Sequence, residues 1–367
     1  MGKDEGASLS ARLQRHIAAA IARHGGWLPF DRFMALALYE PGLGYYANDL
    51  RKFGTMPASG SDFVTAPEMS ALFGRALAVQ LAQALEAAGS AEIWEFGAGS
   101  GALAAQLLEA LGELGKEVAA YHVIELSATL RERQAQRLQP WAHKLRWHER
   151  LPERIDGVIV ANELLDAMPV QLLHWDGRQW FERGVCAADG GFGWADRPTP
   201  LRPPSNDFAP GAVTEVHTHA LAFMRTLAER MGRAAAFFID YGFPEAEYYH
   251  PQRVGGTLMC HRAHRADADP LVDVGLKDIT AHVDFSAIAL TAQDAGLEVL
   301  GYTSQAHFLI NCGLPALMQT ATLAQAAGAQ RLIAEHEMGE LFKVLALARG
   351  VAFDALGFTS GDRSHRL

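Results

Sequence analysis

Residues 91–111 read AEIWEFGAGSGALAAQLLEAL, and this stretch constrains the fold more than any other. A short apolar run (Ile93, Trp94, Phe96) ends in a glycine cluster, after which Leu103, Leu107, Leu108 and Leu111 repeat at helical spacing. That order spells strand, tight turn, helix. Gly97, Gly99 and Gly101 let the main chain turn sharply and let a ligand approach it closely. The first N–H groups of the helix have no partner within it and carry the positive end of its dipole. An anionic group of a ligand is favoured there.

The next strong signal lies 28 residues beyond Gly97, where Tyr121-His122-Val123-Ile124 ends in Glu125. A carboxylate at a strand end can accept hydrogen bonds from ribose hydroxyls. Two ligand classes share a ribose. Gly97-Ala98-Gly99-Ser100-Gly101-Ala102 satisfies the dinucleotide pattern G-x-G-x-x-G/A. With Glu95 it also satisfies E-x-G-x-G-x-G, the first motif of S-adenosylmethionine (SAM) methyltransferases. Glu95 discriminates between them, because a carboxylate repels a pyrophosphate but suits a ligand bearing an ammonium and a sulfonium. A NAD(P)-dependent oxidoreductase is therefore the weaker enzyme reading.

A chain of 367 residues, 49% of them apolar, can bury one large core or two medium ones. With 32 basic and 42 acidic residues and no basic patch interleaved with aromatics, it lacks the signature of a nucleic-acid binder. Cys186, Cys260 and Cys312 are far apart and form no CxxC, which suggests neither a zinc site nor a disulfide framework and fits a reducing compartment. No apolar run reaches membrane-spanning length. The N-terminus is mildly amphipathic, but Asp4 and Glu5 argue against a mitochondrial presequence.

Taken in order, residues 8–24 have helical spacing closed by Gly25-Gly26, and a second short helix covers Pro29 to about Leu38. An aromatic turn follows at 39–46, then a polar loop at 60–68, where Thr65 and Glu68 either wall the nucleotide site or cap the helix expected from about Ser70 to Ala88. Strands are expected near 91–96, 119–125, 144–148, 156–161 and 234–240, with two more at 297–302 and 342–348 and helices at 314–336. Helices between the strands predict an open, mainly parallel sheet. Ligands sit at the carboxyl ends of such strands. There the sequence places Asn162, Glu163 and Asp166 after the fourth strand and Asp240 at the end of the fifth. Leu172–Trp175, Asp176-Gly177 and Gln179–Glu182 read as a hairpin insertion, with loop at Gly190-Gly191 and through the proline-rich 198–210. Histidines at 250–264 share no short helical spacing and no cysteine partner, so no metal is expected.

Six ordered segments carry a resemblance: GSDFVTAPEMSALFG (60–74), EFGAGSGALA (95–104), ANELLDAMPV (161–170), IDYGFP (239–244), DITAHVDF (278–285) and MGELFKVLA (338–346). Together they resemble the MidA-like methyltransferase family over roughly residues 10–350. The resemblance implies an α/β, Rossmann-like class I methyltransferase sheet, mainly parallel with its last strand antiparallel. It implies SAM as cofactor and a protein arginine as acceptor, since mitochondrial members assist complex I assembly by dimethylating an arginine of a core subunit. The expected organisation is an N-terminal helical and lid segment (1–88), a SAM-binding core (89–350) with insertions at about 170–215 and 243–280, and a C-terminal tail (351–367). A bacterial member would be cytoplasmic and a eukaryotic one would lie in the mitochondrial matrix. The oligomeric state stays open.

For the cofactor, the candidate residues are Glu95 near the ammonium, Gly97, Gly99 and Gly101 for main-chain approach, and Glu125 on the ribose. Asn162 would neighbour the methionine moiety, and Thr65 and Glu68 would close over it. Carboxylates can grip a planar guanidinium through paired hydrogen bonds. Glu163, Asp166, Asp240 and Asp284 are the candidates, with His282 as proton acceptor. Asp284 and His282 have an alternative reading as a helix start, and Asn162 and Glu163 as a capping pair. Two further functional readings remain beside arginine methylation: methylation of a small molecule, and a catalytically idle methyltransferase-like assembly scaffold.

Overall fold

Helix α1 (Leu72–Ala88) leads into strand β1 (Glu92–Phe96), which ends in the glycine turn and continues as helix α2 (Ala102–Glu113). The protein is described by a computed structural model covering residues 3–48 and 64–367, without the side chains of residues 3–5. Beyond α2 come β2 (Ala120–Ile124), α3 (Ala128–Arg137), β3 (Leu145–His148) and β4 (Ile155–Asn162). The sheet is completed by β5 (Met231–Phe243), β6 (Glu298–Ser304) and β7 (Phe342–Arg349). Every strand expected in this sheet is present within a few residues of its expected limits.

The strands run in the order β6-β7-β5-β4-β1-β2-β3. Pairing is parallel from β5 through β3, with Ile93 opposite Val158 on one side and Tyr121 on the other. Strand β7 enters antiparallel to β5, from Ala234 opposite Arg349 to Tyr241 opposite Phe342. The mainly parallel sheet with its reversed last strand is the one expected from the resemblance. Residues 234–240 of β5 and 342–348 of β7 are buried throughout, as expected where helices cover both faces of a sheet. Strand order reverses direction at β1 and β4, and the crevice at their carboxyl ends is the natural ligand position in such sheets.

The chain divides into two compact units. The sheet unit comprises Val64–Leu164, Ala222–Pro244 and Phe285–Leu367. Its core includes Phe73, Leu77, Leu107, Val123, Val160, Phe237 and Val344. The expected C-terminal tail belongs to this core: Phe358 is 8% exposed, and the Gly357 N–H donates to Gln80 Oε1 at 2.7 Å. The helix expected from about Ser70 to Ala88 is α1, preceded by a separate short helix Ala66–Met69, and the region expected as 314–336 forms Leu314–Thr320 and Leu323–Ile333.

The second unit comprises Met1–Phe63, Leu165–Leu221 and Glu245–Asp284. It therefore gathers the N-terminal segment and both expected insertions around one core of their own, including Ile17, Phe30, Phe33, Leu172, Val185 and Ile279. Its five-stranded sheet contains the expected hairpin, Gln171–Trp175 with Trp180–Ala188. It also contains strands that were not expected, notably Gly191–Pro198, between the two expected loops, which pairs antiparallel with Trp180–Ala188. In the 243–280 region, Met259–Arg262 pairs with Arg265–Asp267 and with Asp278–Thr280. Of the aromatic turn at 39–46, Tyr45 is buried in this core, Tyr46 donates to Asp278 Oδ1 at 2.8 Å, and Tyr39 is 40% exposed. Among the described residues, no helix is long and apolar enough to cross a membrane.

Candidate functional site

The glycine turn adopts the conformation its sequence requires. Gly97, Gly99 and Gly101 have φ of 67°, 51° and 78°, the left-handed region that a side chain strains. A Cβ on Gly97 would also press on Leu164 Cδ1 at 3.2 Å. The turn closes through the Gly101 N–H on the Ala98 carbonyl at 2.7 Å, and α2 begins with no side-chain cap. The first N–H groups of α2 are thus left to a ligand or to water.

Glu125, at the end of β2, is 8% exposed and accepts the Ser127 N–H on Oε1 at 2.9 Å. Burial raises its carboxyl pKa, against the lowering effect of its N–H donors. Gln134 on α3 was not foreseen. Its amide donates to the Gly99 carbonyl at 3.0 Å and to Glu125 Oε2 at 3.1 Å. No sequence signal marks it, because a single glutamine in a polar helix has no motif. Leu126, next to Glu125, is 74% exposed, an unusual position for a large apolar side chain beside a buried carboxylate.

Glu68 is held by Arg137 at 2.7 Å and by the Ser100 hydroxyl. Residue 68 is thereby anchored to the glycine turn. Thr65 begins the short helix Ala66–Met69 in extended conformation and makes no side-chain cap bond. The preceding part of that loop, Gly60 to Phe63, lies outside the described residues.

Glu95 is 2% exposed and accepts the Tyr121 hydroxyl at 2.7 Å. Burial pushes its carboxyl up to about 7; the Tyr121 hydrogen bond opposes the rise and the nearby Glu125 charge adds to it. Asn162 donates to Glu163 Oε1 at 3.0 Å, while its own Oδ1 is buried with no hydrogen-bond partner among the described residues. Glu163 has φ of 55°, one of four described non-glycine residues with positive φ. Its N–H donates to the Ile239 carbonyl at 2.9 Å, which fixes the turn against β5. Asp240 is fully buried and accepts the Leu164 N–H at 3.1 Å and the Tyr241 N–H at 2.9 Å. It braces the turn that presents Glu163.

The remaining candidates belong to the second unit. Asp166 is 4% exposed and its carbonyl accepts the Ala281 N–H at 3.0 Å, so Asp166 and the His282 segment are brought together. Burial, then the charges of Asp278, Tyr39 and Asp166, drive the Tyr46 phenol well above its ordinary range. The His282 N–H donates to Thr257 Oγ1 at 3.0 Å, and Thr257 in turn meets the Tyr248 hydroxyl at 3.0 Å. Asp284 is 1% exposed, in the two-residue strand Val283–Asp284. Among the described residues, no three His, Cys, Asp or Glu side chains are grouped to hold a metal ion.

The sheet unit's residues fit an adenosyl amino acid. Three glycines clear a main-chain approach, an acceptor-only carboxylate stands at the end of β2, and Asn162 Oδ1 is a buried acceptor without a donor among the described residues. A buried acceptor of that kind is costly unless something supplies its hydrogen bond, and a ligand ammonium does so. Comparison with known proteins decides the cofactor. A family model described as "Putative S-adenosyl-L-methionine-dependent methyltransferase" matches residues 76–303. The chain belongs to that family. It is similar at 49% identity, with a TM-score of 0.96 and coverage of 100% of this chain and 99% of the other, to a Burkholderia thailandensis protein solved with S-adenosyl-homocysteine. A second B. thailandensis structure, a native crystal structure, matches at 48% identity and a TM-score of 0.92, covering 100% of this chain and 99% of the other. The Drosophila melanogaster protein arginine methyltransferase NDUFAF7 homolog, mitochondrial, is 29% identical over 89% of this chain and 82% of its own length. The Danio rerio protein arginine methyltransferase NDUFAF7, mitochondrial, is 28% identical over 85% of this chain and 79% of its own. The protein is a SAM-dependent methyltransferase of the MidA-like kind, and the dinucleotide reading falls.

Proposed function

We propose that this methyltransferase acts on an arginine side chain of a protein substrate, and that the substrate is a core subunit of respiratory complex I, as the resemblance of its motifs implies. The observation that carries the reading is Glu163: a half-buried carboxylate held at φ of 55° where β4 ends, beside Asn162. A non-glycine residue in that conformation costs on the order of 1 kcal/mol, and such strain persists where the surroundings fix it. Here the Ile239 carbonyl and Asp240 fix it. The names of the curated relatives support the same acceptor class.

SAM, when bound, supplies a methyl group on a sulfonium, already activated for transfer. The protein's part is to orient. Glu125 accepts from the ribose, Leu126 offers an apolar surface beside it, Asn162 Oδ1 and Glu95 face the ammonium, and Thr65 and Glu68 wall the glycine turn. Glu163 holds the guanidinium through charge-assisted hydrogen bonds and aims one nitrogen.

The test is to incubate the purified protein with SAM and extract from cells lacking it, then map new methyl groups by mass spectrometry. Mono- or dimethylarginine on one protein is the expected outcome. Methyl incorporation only into small molecules, or into residues other than arginine, would overturn the reading.

A further inference from the structure

We propose that Gln134 is a positioning residue for the adenosyl ligand: its amide locks the Glu125 carboxylate to the glycine turn and so sets where the ribose acceptor stands. The inference rests on the assignment of Glu125 to the ribose.

The argument starts from the cost of the residue. Gln134 is 0% exposed, and apart from Leu130 it is the buried residue of an otherwise polar α3. An apolar side chain would fill this place without the penalty of burying an amide. The amide instead reaches the ends of three structural elements. One N–H goes to the Gly99 carbonyl at 3.0 Å and the other to Glu125 Oε2 at 3.1 Å. Its Oε1 accepts the indole N–H of Trp147, on β3, at 3.0 Å. The carbonyl and the carboxylate can only accept and the indole can only donate, so one orientation of the amide satisfies all three. The Ser127 N–H holds the other carboxylate oxygen at 2.9 Å. Glu125 is thus held from both sides, with Gln134 as the side tied to the turn. One turn further along α3, Arg137 reaches Ser100 of the same glycine turn.

Gln134→Glu is the informative variant. It keeps the shape and puts an oxygen where Nε2 stood, facing Gly99 O and Glu125. With a proton, that oxygen still donates to Glu125; without it, two carboxylates repel. Glu95 and Arg131 also act on Glu125, and Glu68 and Arg137 stand nearby, but they do so in parent and variant alike. The readout is therefore the ratio of variant to parent affinity for S-adenosyl-homocysteine, measured by calorimetry at about pH 5.5 and about pH 8. The expected result is a ratio within about threefold at the lower pH and a loss of roughly tenfold or more at the higher, one pKa unit of coupling being a factor of ten. Trp147→Phe, which removes only the donor that fixes the amide, should weaken binding roughly threefold or more without adding pH dependence.

A parent-like, pH-independent affinity in Gln134→Glu would overturn the proposal. If that variant fails to fold, parent-like binding by Trp147→Phe overturns it instead. Glu125→Ala separates the two levels. Parent-like binding there removes the ribose assignment and the positioning role together, whereas weakened binding there with a parent-like Gln134→Glu removes the positioning role alone.

Discussion

Replacing Glu95 by glutamine should make the sheet unit more stable at alkaline pH while weakening its hold on the cofactor. Glu95 is buried against Tyr121, and its carboxyl is pushed from the ordinary 4.5 up to about 7. A carboxyl whose folded value lies above its unfolded value binds more protons in the folded state. Its contribution is therefore fully present below about pH 4.5 and is lost as pH rises through about 7. At ~1.4 kcal/mol per pH unit, that loss is on the order of 3 kcal/mol. Glutamine mimics the protonated acid, can still accept from Tyr121, and does not titrate. Urea unfolding, with hydrogen exchange of β1 and β2 as the local readout, should show parent and Glu95→Gln alike at about pH 5 and the variant more stable by up to about 3 kcal/mol at about pH 8. If the ligand ammonium lies beside Glu95, binding near neutral pH also releases a proton from the parent and none from the variant. Calorimetry in buffers of different ionisation enthalpy counts that proton. A parent whose stability is flat from pH 5 to pH 8, or a variant destabilised equally at both, would refute the argument that burial governs this carboxyl.

Other expectations concern single contacts. Asn162→Ala removes the unpartnered Oδ1 and should weaken S-adenosyl-homocysteine roughly tenfold with little change in unfolding midpoint. Gly99→Val places a β-branched residue at φ of 51° and should abolish measurable calorimetric binding, whereas retention of parent affinity would contradict a main-chain approach at that turn. Glu163→Gln should leave cofactor affinity within about threefold and lower methyl incorporation into extract protein roughly a hundredfold. An equal loss of both would make Glu163 a cofactor residue instead.

The parallel sheet was legible because its signals are local. Ile93 and Trp94 before three glycines, and Tyr121–Ile124 before Glu125, fix strand ends within a few residues, since fully buried strands and tight turns admit few residue types. The reversed last strand came from resemblance, because periodicity does not distinguish the direction of a buried strand. The second unit was much less legible. No strand was expected over Gly191–Pro198, where glycine, aspartate and proline disfavour strands, yet it pairs with Phe181–Ala188. Its hydrogen-bond partners, and not its own propensities, make it a strand. The described residues up to 48 and segments 165–221 and 245–284 share a core that no local pattern announces, because the contacts that define it join residues far apart in sequence.

The same division holds at the site. The cofactor class was legible in Gly97, Gly99, Gly101 and Glu125, because that backbone turn and a carboxylate at a strand end suit an adenosyl ligand, and similarity to known methyltransferases fixed it. Only the tertiary structure assigned Asp240 to the Leu164 N–H, gave Glu95 its buried environment, and joined Gln134 to Gly99, Glu125 and Trp147. The reason is physical. A glycine's freedom and a carboxylate's charge belong to the residue wherever it stands. A hydrogen bond, a desolvation cost or a shifted pKa belongs to the set of neighbours that folding brings together.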